Sequence, residues 1–272
     1  MNQILDLSRF EVELFDSGRD QEGSSLKKIR IFFFHHAGGC AQSYISWRNC
    51  FPEHWDIVAV EYPGREHADA LRHDMNDLVS HLIQELSPAL DQTYALFGHS
   101  MGSLVAYEFA QQVALRGLPK PIWLGVSGRY APHLPSRIGY AMHQLSDAAL
   151  LNHILAMGGT PLSVIQDVRQ REHFLKVMRA DFKVCETYQI SRDYRIDIPI
   201  SGFYGNQDAM VTEVEMNAWQ ALTTSSFRNH EYHGGHFYLS LLKRNVAEQI
   251  TRDIVRYSDK SVVHTSDLNE FI

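Results

Sequence analysis

A serine between two glycines is the first feature of this chain that could do chemistry. Residues 98–102 read GHSMG, which places Ser100 at the centre of a G-x-S-x-G pattern. A serine hydroxyl becomes a nucleophile when a neighbouring base removes its proton, and flanking glycines allow the tight turn that exposes it. The pattern alone is weak because both residue types are common, so a small-residue turn with an idle serine is the alternative.

A histidine and an acid later in the chain supply the partners that such a serine needs. His236 ends the stretch HGGH, where two glycines give a loop able to present an imidazole. Asp208 ends the stretch YGNQD after a strand-like segment, and this gives the order serine, acid, histidine expected around a nucleophile elbow. His233 competes with His236, and an ordinary solvated loop residue is the alternative for each partner.

Hydrolysis through an acyl-serine also needs two N–H donors for the oxyanion of the tetrahedral intermediate. The backbone N–H of Met101, the residue after the nucleophile, is the expected first donor. The second should come from a loop after an early strand, and FHHAGG (34–39) is such a loop, with Ala37 as the candidate. A metal site at His35 and His36 and a dinucleotide-binding loop are weak alternatives, because adjacent histidines point apart and no G-x-G-x-x-G follows.

Alternating strand-like and helix-like segments indicate the fold that positions these residues. Short β-branched or aromatic runs predict strands at 28–34, 57–62, 93–97, 121–126, 199–204 and 227–232. Apolar residues at helical spacing predict helices at 73–90, from 102 to the glycine at 117, at 213–222 and at 238–257. This alternation predicts an α/β fold, a mostly parallel sheet with helices on both faces. A strand enters Ser100 and a helix leaves it, as a nucleophile elbow requires, whereas Asp197 precedes its strand and would lie at the wrong end of the sheet.

One interval between strands is too long for a single crossover helix. About seventy residues separate the strands at 121–126 and 199–204, and helical patterns at 147–157 and 166–188 dominate them. We therefore predict a single domain over 1–272 with an inserted helical lid at 134–193, above the edge of the sheet that carries the active site. The polar tail after 257 is expected to be loosely held.

Composition and charge exclude several classes of protein. The 272 residues are 44% hydrophobic and carry a formal charge of −7, so a large core is possible and no general attraction to nucleic acid or anionic membrane is expected. Three scattered cysteines form no disulfide framework or zinc motif. The N-terminal segment lacks the pattern of a signal peptide, and no apolar run is long enough to span a bilayer. We expect a cytoplasmic monomer with no nucleic-acid or membrane partner.

Seven segments together resemble the type II thioesterases, the stand-alone editing hydrolases that accompany nonribosomal peptide and polyketide synthases. They run in the family's order between 32 and 239 and read FFFHHAGG, EYPGRE, GHSMG, VSGRYAP, GGTP, MRADFKVCETY and GGHFYL. The resemblance implies an α/β-hydrolase fold with a helical lid. It also implies an enzyme that releases acyl, aminoacyl or short peptidyl groups from the phosphopantetheine arm of acyl or peptidyl carrier proteins.

The same resemblance assigns roles to individual residues. It implies a catalytic triad of Ser100, Asp208 and His236, with Ala37 and Met101 as oxyanion donors. No cofactor or metal is implied, because the substrate itself is carried on the phosphopantetheine of the partner. The family usually has proline where this chain has His35, so a looser oxyanion loop is expected.

Two other functions remain open at this point. A lipase or carboxylesterase acting on small free esters would use the same triad. A non-catalytic binding protein on a hydrolase scaffold is the alternative of another class, although such proteins usually lack a triad member and this chain has all three. The predicted lid also carries several basic residues. They either contact an acidic carrier protein or solvate an exposed helix face. They are Arg169, Arg171, Lys176, Arg179 and Lys183.

Overall fold

Six parallel strands form the centre of the protein. The computed structural model describes residues 28–66, 68–136, 139–160, 162–190 and 195–258. The strands are β1 (Arg30–Phe34), β2 (Asp56–Val60), β3 (Tyr94–His99), β4 (Leu124–Ser127), β5 (Ile200–Gly205) and β6 (Phe227–Tyr232), in the sheet order β2-β1-β3-β4-β5-β6. Every neighbouring pair is parallel, and each of the six predicted strands is confirmed within a few residues. All carboxyl ends of the strands therefore lie at one edge of the sheet.

Helices cover both faces of this sheet. Outside the interval between β4 and β5 they are α1 (Gln42–Ile45), α2 (Met75–Leu86), α3 (Met101–Leu115), α7 (Glu213–Asn217), α8 (Tyr238–Leu241) and α9 (Lys243–Ser258). Side chains alternate along β1 because successive strand residues point to opposite faces. Phe32 and Phe34 pack in the core formed with α2, α3 and α7, whereas Ile31 and Phe33 pack in the core formed with α1, α8 and α9.

The predicted helix at 238–257 is wrong in one respect, because the chain forms two helices there. Leu242 has φ −105° and ψ 26°, outside the helical region, so α8 ends and α9 begins around it. Tyr238 is buried at the start of α8, where its hydroxyl lies 2.7 Å from Ser127 Oγ. The short α8 is thus anchored at the sheet edge, while α9 packs against the sheet face.

Three helices lie between β4 and β5, within the predicted interval 134–193. They are α4 (Asp147–Met157), α5 (Leu162–Gln166) and α6 (Val168–Thr187), and together they are called the helical insertion here. A small apolar cluster holds the helical insertion together, formed by the buried side chains of Met142, Leu150, Ile154, Leu175, Met178 and Phe182. Ala37 of the loop after β1 packs against this cluster, so the helical insertion rests on the sheet edge.

Two sequence predictions concern the C-terminal tail and membrane-spanning segments. The tail after 257, predicted to be loosely held, lies almost wholly outside the described residues. In the part of the chain that is described, no helix combines the length and the apolar character needed to cross a bilayer.

Candidate active site

Ser100 occupies a strained turn between β3 and α3. Its φ of 55° is the only positive φ of a non-glycine residue among the residues described. Side chains other than glycine rarely adopt this conformation, and strain of this kind persists only where the surroundings impose it. The N–H of Ser100 donates to the Ser127 carbonyl at 2.7 Å, which ties the turn to β4.

Two glycines permit this turn because backbone segments meet where a Cβ would be. A Cβ on Gly98 would lie 2.0 Å from the Gly102 carbonyl oxygen, and one on Gly102 would lie 2.0 Å from the Phe34 carbonyl oxygen. Neither distance is compatible with a side chain. The turn that presents Ser100 is thus fixed by close backbone contact with its own helix and with β1.

Asp208 and His236, the predicted acid and base, are brought together by the structure. Asp208 Oδ2 lies 2.8 Å from His236 Nδ1, and Asp208 Oδ1 accepts a hydrogen bond from the Met210 N–H at 2.8 Å. The Asp208 side chain is inaccessible to solvent and that of His236 is 9% exposed. A buried carboxylate in this position fixes the tautomer of the ring, leaving Nε2 free to accept a proton.

The loops that carry the acid and the histidine are clamped to each other. The Gln207 N–H donates to the Gly234 carbonyl at 2.9 Å, and the Asn206 N–H donates to the Tyr232 carbonyl at 2.8 Å. A Cβ on Gly205 would lie 2.3 Å from the Gly234 carbonyl oxygen, so the two loops approach as closely as glycine allows. His233, the competing histidine, is exposed to solvent.

The two predicted oxyanion donors, Ala37 and Met101, both line the cavity that contains Ser100 and His236. Within the described part of the chain, neither of their N–H groups donates to another residue. Met101 is the first residue of α3, so its N–H belongs to the helix terminus, which favours negative charge. Both N–H groups are therefore available to an oxyanion.

His35, which stands where proline was expected, is held tightly. Its side chain is completely buried, and its ring lies against that of Tyr62, tilted by 36° with the centroids 3.8 Å apart. The ring Nε2 lies 3.2 Å from a carboxylate oxygen of Glu61, and Nδ1 lies 2.9 Å from the His36 carbonyl. These contacts hold the His35 side chain in place, and whether the loop is looser than with proline stays a prediction.

Neutral imidazoles surround His236. His99 lies beneath it, with ring centroids 4.9 Å apart, and His99 Nδ1 is 2.9 Å from Ser127 Oγ. Burial, and then the nearby His236 and His36, lower the pKa of His99 well below its ordinary value. Burial lowers the pKa of His36 to about 3, with the neighbouring His35 and His236 contributing. Neither ring is charged near neutral pH, so Asp208 is the group that balances a proton on His236.

A cavity of about 950 Å³ contains Ser100 and His236. Its apolar wall comes from the helical insertion and is formed by Ile154, Met157, Phe174, Met178 and Phe182, among others. In this structure the Ser100 hydroxyl makes no hydrogen bond to a described residue. Ser100 and His236 thus share one cavity, and catalytic hydrogen bonds are often long before substrate binds.

The sequence analysis missed an ion pair beside this cavity. Arg65, in the segment EYPGRE, donates to Asp181 at 2.8 Å. Asp181 is 3% exposed and lies on the apolar face of α6, between Met178 and Phe182. An acid inside a helical apolar stripe was the signal available in the sequence. The described residues contain no group of three or more side chains suited to holding a metal ion.

Comparisons with known proteins agree with this architecture. The family model for the thioesterase domain matches residues 29–255. Gramicidin S biosynthesis protein GrsT from Aneurinibacillus migulanus is 32% identical over 234 residues, which cover 85% of this chain and 91% of that protein.

Solved structures with the same architecture include two thioesterases. The RedJ thioesterase from the prodiginine biosynthetic pathway in Streptomyces coelicolor is 30% identical with a TM-score of 0.75, covering 86% of this chain and 91% of that one. The type II thioesterase BorB from the borrelidin biosynthetic cluster is 31% identical with a TM-score of 0.75, covering 86% and 95%. The chain therefore belongs to the thioesterase family, as a hydrolase with the α/β-hydrolase fold and with type II thioesterases among its relatives.

Proposed function

We propose that this thioesterase hydrolyses acyl or aminoacyl thioesters on the phosphopantetheine arm of carrier proteins, as an editing or release enzyme of nonribosomal peptide or polyketide biosynthesis. The observation that carries the proposal is the cavity in which Ser100 and His236 lie beneath the helical insertion. Its mainly apolar inner wall suits an acyl group, and its size admits a slender arm as well. The biosynthetic pathways of the relatives GrsT, RedJ and BorB support the same conclusion.

In the first half of the proposed reaction, Ser100 becomes acylated. Ser100 Oγ attacks the thioester carbonyl carbon while His236 Nε2 takes the hydroxyl proton, and Asp208 stabilises the resulting imidazolium. The Ala37 and Met101 N–H groups donate to the oxyanion of the tetrahedral intermediate. The C–S bond then breaks, and His236 returns the proton to the departing thiolate, which leaves as the free thiol of phosphopantetheine.

In the second half, water releases the acyl group. His236 removes a proton from a water molecule, whose oxygen attacks the acyl-serine carbonyl. Collapse of the second tetrahedral intermediate breaks the bond to Ser100 Oγ, which recovers its proton from His236. The products are a carboxylic acid and the free enzyme, and no cofactor enters either half.

We also propose the division of the chain into one domain, 1–272, with residues 134–193 acting as a lid. The support is that α4, α5 and α6 all lie between β4 and β5 and line the cavity on one side. We further propose that the enzyme is a cytoplasmic monomer that binds neither nucleic acid nor membrane. Its free cysteines, Cys40, Cys50 and Cys185, are compatible with a reducing compartment.

A row of unpaired cations on α6 is the proposed contact for an acidic carrier protein. Arg169, Lys176 and Lys183 are exposed and spaced seven residues apart, which places them on one side of the helix. Within the described residues none of them forms an ion pair. Arg171 and Arg179 are different, because Arg171 donates to the Ile165 carbonyl and Arg179 donates to the carbonyls of His143 and Leu145, just before α4.

Reversing these charges tests the docking surface. K176E/K183E should raise KM for the acylated carrier protein about tenfold at low salt, with kcat for a free ester unchanged, because rim charges act mainly on association. The matched control is R252E/R256E, which changes the net charge equally on the exposed side of α9. Equal KM values for both double variants would remove the α6 surface from the proposal.

The substrate class is tested by direct competition between carrier-bound and free substrates. Turnover of acyl-phosphopantetheinyl carrier protein, followed by intact-mass spectrometry over a panel of acyl groups, should exceed turnover of the matching nitrophenyl esters in kcat/KM. Faster hydrolysis of the free esters without a carrier preference would identify a small-molecule esterase instead. A Ser100 that no fluorophosphonate labels would identify a non-catalytic binding protein.

A further inference from the structure

A buried ion pair joins the helical insertion to the loop that carries Ala37. An Arg65 Nη donates to Asp181 Oδ2 at 2.8 Å, and the two side chains are 8% and 4% exposed. Arg65 follows β2, whereas Asp181 belongs to α6. Charges withdrawn from water in this way are costly unless further hydrogen bonds satisfy them, so their other partners indicate what the pair does.

Both members of the pair bind the backbone directly after Ala37. Asp181 Oδ2 accepts a hydrogen bond from the Gly38 N–H at 2.7 Å. Arg65 Nε donates to the Gly39 carbonyl at 3.0 Å. The ion pair thus binds both the Gly38 N–H and the Gly39 carbonyl. The orientation of the adjoining peptide group of Ala37 depends on these two hydrogen bonds.

The loop is also held on the other side of Ala37. The Tyr62 hydroxyl donates to the His35 carbonyl at 3.1 Å, and the Arg65 guanidinium lies 5.2 Å from the centre of the Tyr62 ring. Arg65 therefore contributes to the contacts at both ends of the segment 35–39, directly at Gly39 and through the Tyr62 ring at His35. Between them lies Ala37, whose N–H donates to no other residue in the described part of the chain.

Helix α6 contacts the loop directly. Gly38 has φ 73°, and a Cβ there would lie 2.2 Å from Met178 Sδ. His173, five residues before Met178 in the same helix, places Nε2 2.8 Å from the Arg65 carbonyl oxygen. If α6 withdrew, Asp181 would leave Gly38 and the loop would lose its fastening.

We infer that Arg65 and Asp181 form a positioning pair, which directs the Ala37 N–H toward the oxyanion and makes α6 a fixed part of the active site. The inference rests on the proposed hydrolytic function. It divides the proposed lid of residues 134–193 into α6, which stays on the sheet edge during the reaction, and α4 with α5, whose described residues form no hydrogen bond or ion pair with Arg65 or Asp181. Neither side chain lines the cavity that contains Ser100.

The test uses the full-length enzyme with three variants. Asp181→Asn keeps an acceptor for Gly38 but removes the charge, Arg65→Met with Asp181→Asn removes both charges, and Asp147→Asn is the control. Asp147 is matched in chemistry, because it pairs with Arg179 of α6 at 2.6 Å without touching the loop. Each protein is assayed for kcat and KM on a nitrophenyl ester and on an acylated carrier protein. The affinity for an alkyl trifluoromethyl ketone, whose serine adduct carries an oxyanion, is measured beside that for the corresponding unreactive amide.

Asp181→Asn should lower kcat roughly 10- to 100-fold on both substrates, with KM changed less than about twofold, because a misplaced donor acts on the transition state. The trifluoromethyl ketone should lose affinity by the same factor and the amide should not. The double variant should melt at a higher temperature than Asp181→Asn without a higher kcat. Asp147→Asn should match the wild type in kcat, KM and inhibitor affinity.

Three outcomes would overturn this inference. Asp181→Asn with wild-type kcat, equal losses of ketone and amide affinity, or recovery of kcat in the double variant would each make the pair merely structural. A wild type that prefers free esters would overturn only the proposed carrier substrate, since the effect on kcat would stand. A wild type that hydrolyses neither substrate would overturn both.

Discussion

The turns at the sheet edge and the helical insertion above them differ in what holds them in place. At the edge, backbone lies directly against backbone, as at Gly102, where a Cβ would lie 2.0 Å from the Phe34 carbonyl oxygen. In the helical insertion, side chains make the contacts, through one apolar cluster and ion pairs such as Arg179–Asp147. The glycine positions at the sheet edge therefore tolerate almost no substitution. The residues of α4 and α5 can vary while the catalytic geometry is kept.

The largest effect should come from removing the nucleophile. Ser100→Ala should lower kcat by at least about 10⁴-fold on any substrate, because the acyl-serine can no longer form. Thermal melting should be unchanged or slightly higher, since alanine removes no packed group. The comparison is sharpened by Ser163→Ala, an exposed position of α5, which should retain full activity. Wild-type-like activity of Ser100→Ala would refute the assignment.

Removing the charge of the acid should have the next largest effect. Asp208→Asn should reduce kcat about 10³-fold or more, because the amide no longer fixes the tautomer of His236 or balances its proton. Asp197→Asn is the matched control at the opposite end of β5, where the carboxylate accepts from Thr224 Oγ1 at 3.1 Å. Equal kcat values for the two variants would show that another acid serves His236.

Glycine substitutions compare the two regions directly. Gly102→Ala should lower the free energy of unfolding by about 3 kcal/mol or more, because its Cβ meets a carbonyl that cannot move without displacing β1. Gly139→Ala, in the interval that leads into the helical insertion, meets nothing within 4 Å and should change stability by less than about 0.5 kcal/mol. Urea denaturation measures both. Similar losses of stability at the two sites would contradict the difference between the sheet edge and the helical insertion.

Acid should weaken the sheet edge by a smaller amount. The pKa of His36 is about 3 in the folded protein against an ordinary 6.5, so between these values the unfolded chain binds more protons. The free energy of unfolding should therefore fall as the pH falls from 6.5 to 5, by up to about 2 kcal/mol from this residue. His36→Gln should have a shallower dependence in urea titrations at pH 7, 6 and 5. Parallel curves would show that His36 becomes charged without cost.

Much of the fold was predictable because its signals are local. The six strands follow from short apolar runs, and the surroundings of Ser100 follow from a strand, a glycine-flanked serine and a helix in succession. The pairing of Asp208 with His236 was predictable from chain order alone. The break between α8 and α9 at Leu242 was not predictable, because the apolar spacing continues across it. It is visible only in the folded chain, where Leu242 leaves the helical region and Tyr238 is anchored to Ser127.

Contacts between distant segments account for what sequence reasoning missed. Arg65 and Asp181 are 116 residues apart, and nothing local to either indicates the other. The role of His35 was similarly hidden, because the loss of a proline is visible in the sequence while the compensating contacts with Glu61 and Tyr62 require the folded chain. In both cases one isolated residue looked unusual and its partner supplied the reason.

The pairing of β4 with β5 bears on how the enzyme is made. The whole helical insertion is translated between these neighbouring strands, and Asp208 and His236 come after it, whereas Ser100 comes well before it. A nascent chain on the ribosome therefore displays its serine long before the base exists. The proposed triad is therefore complete only after β6 and the loop that carries His236 have been synthesised.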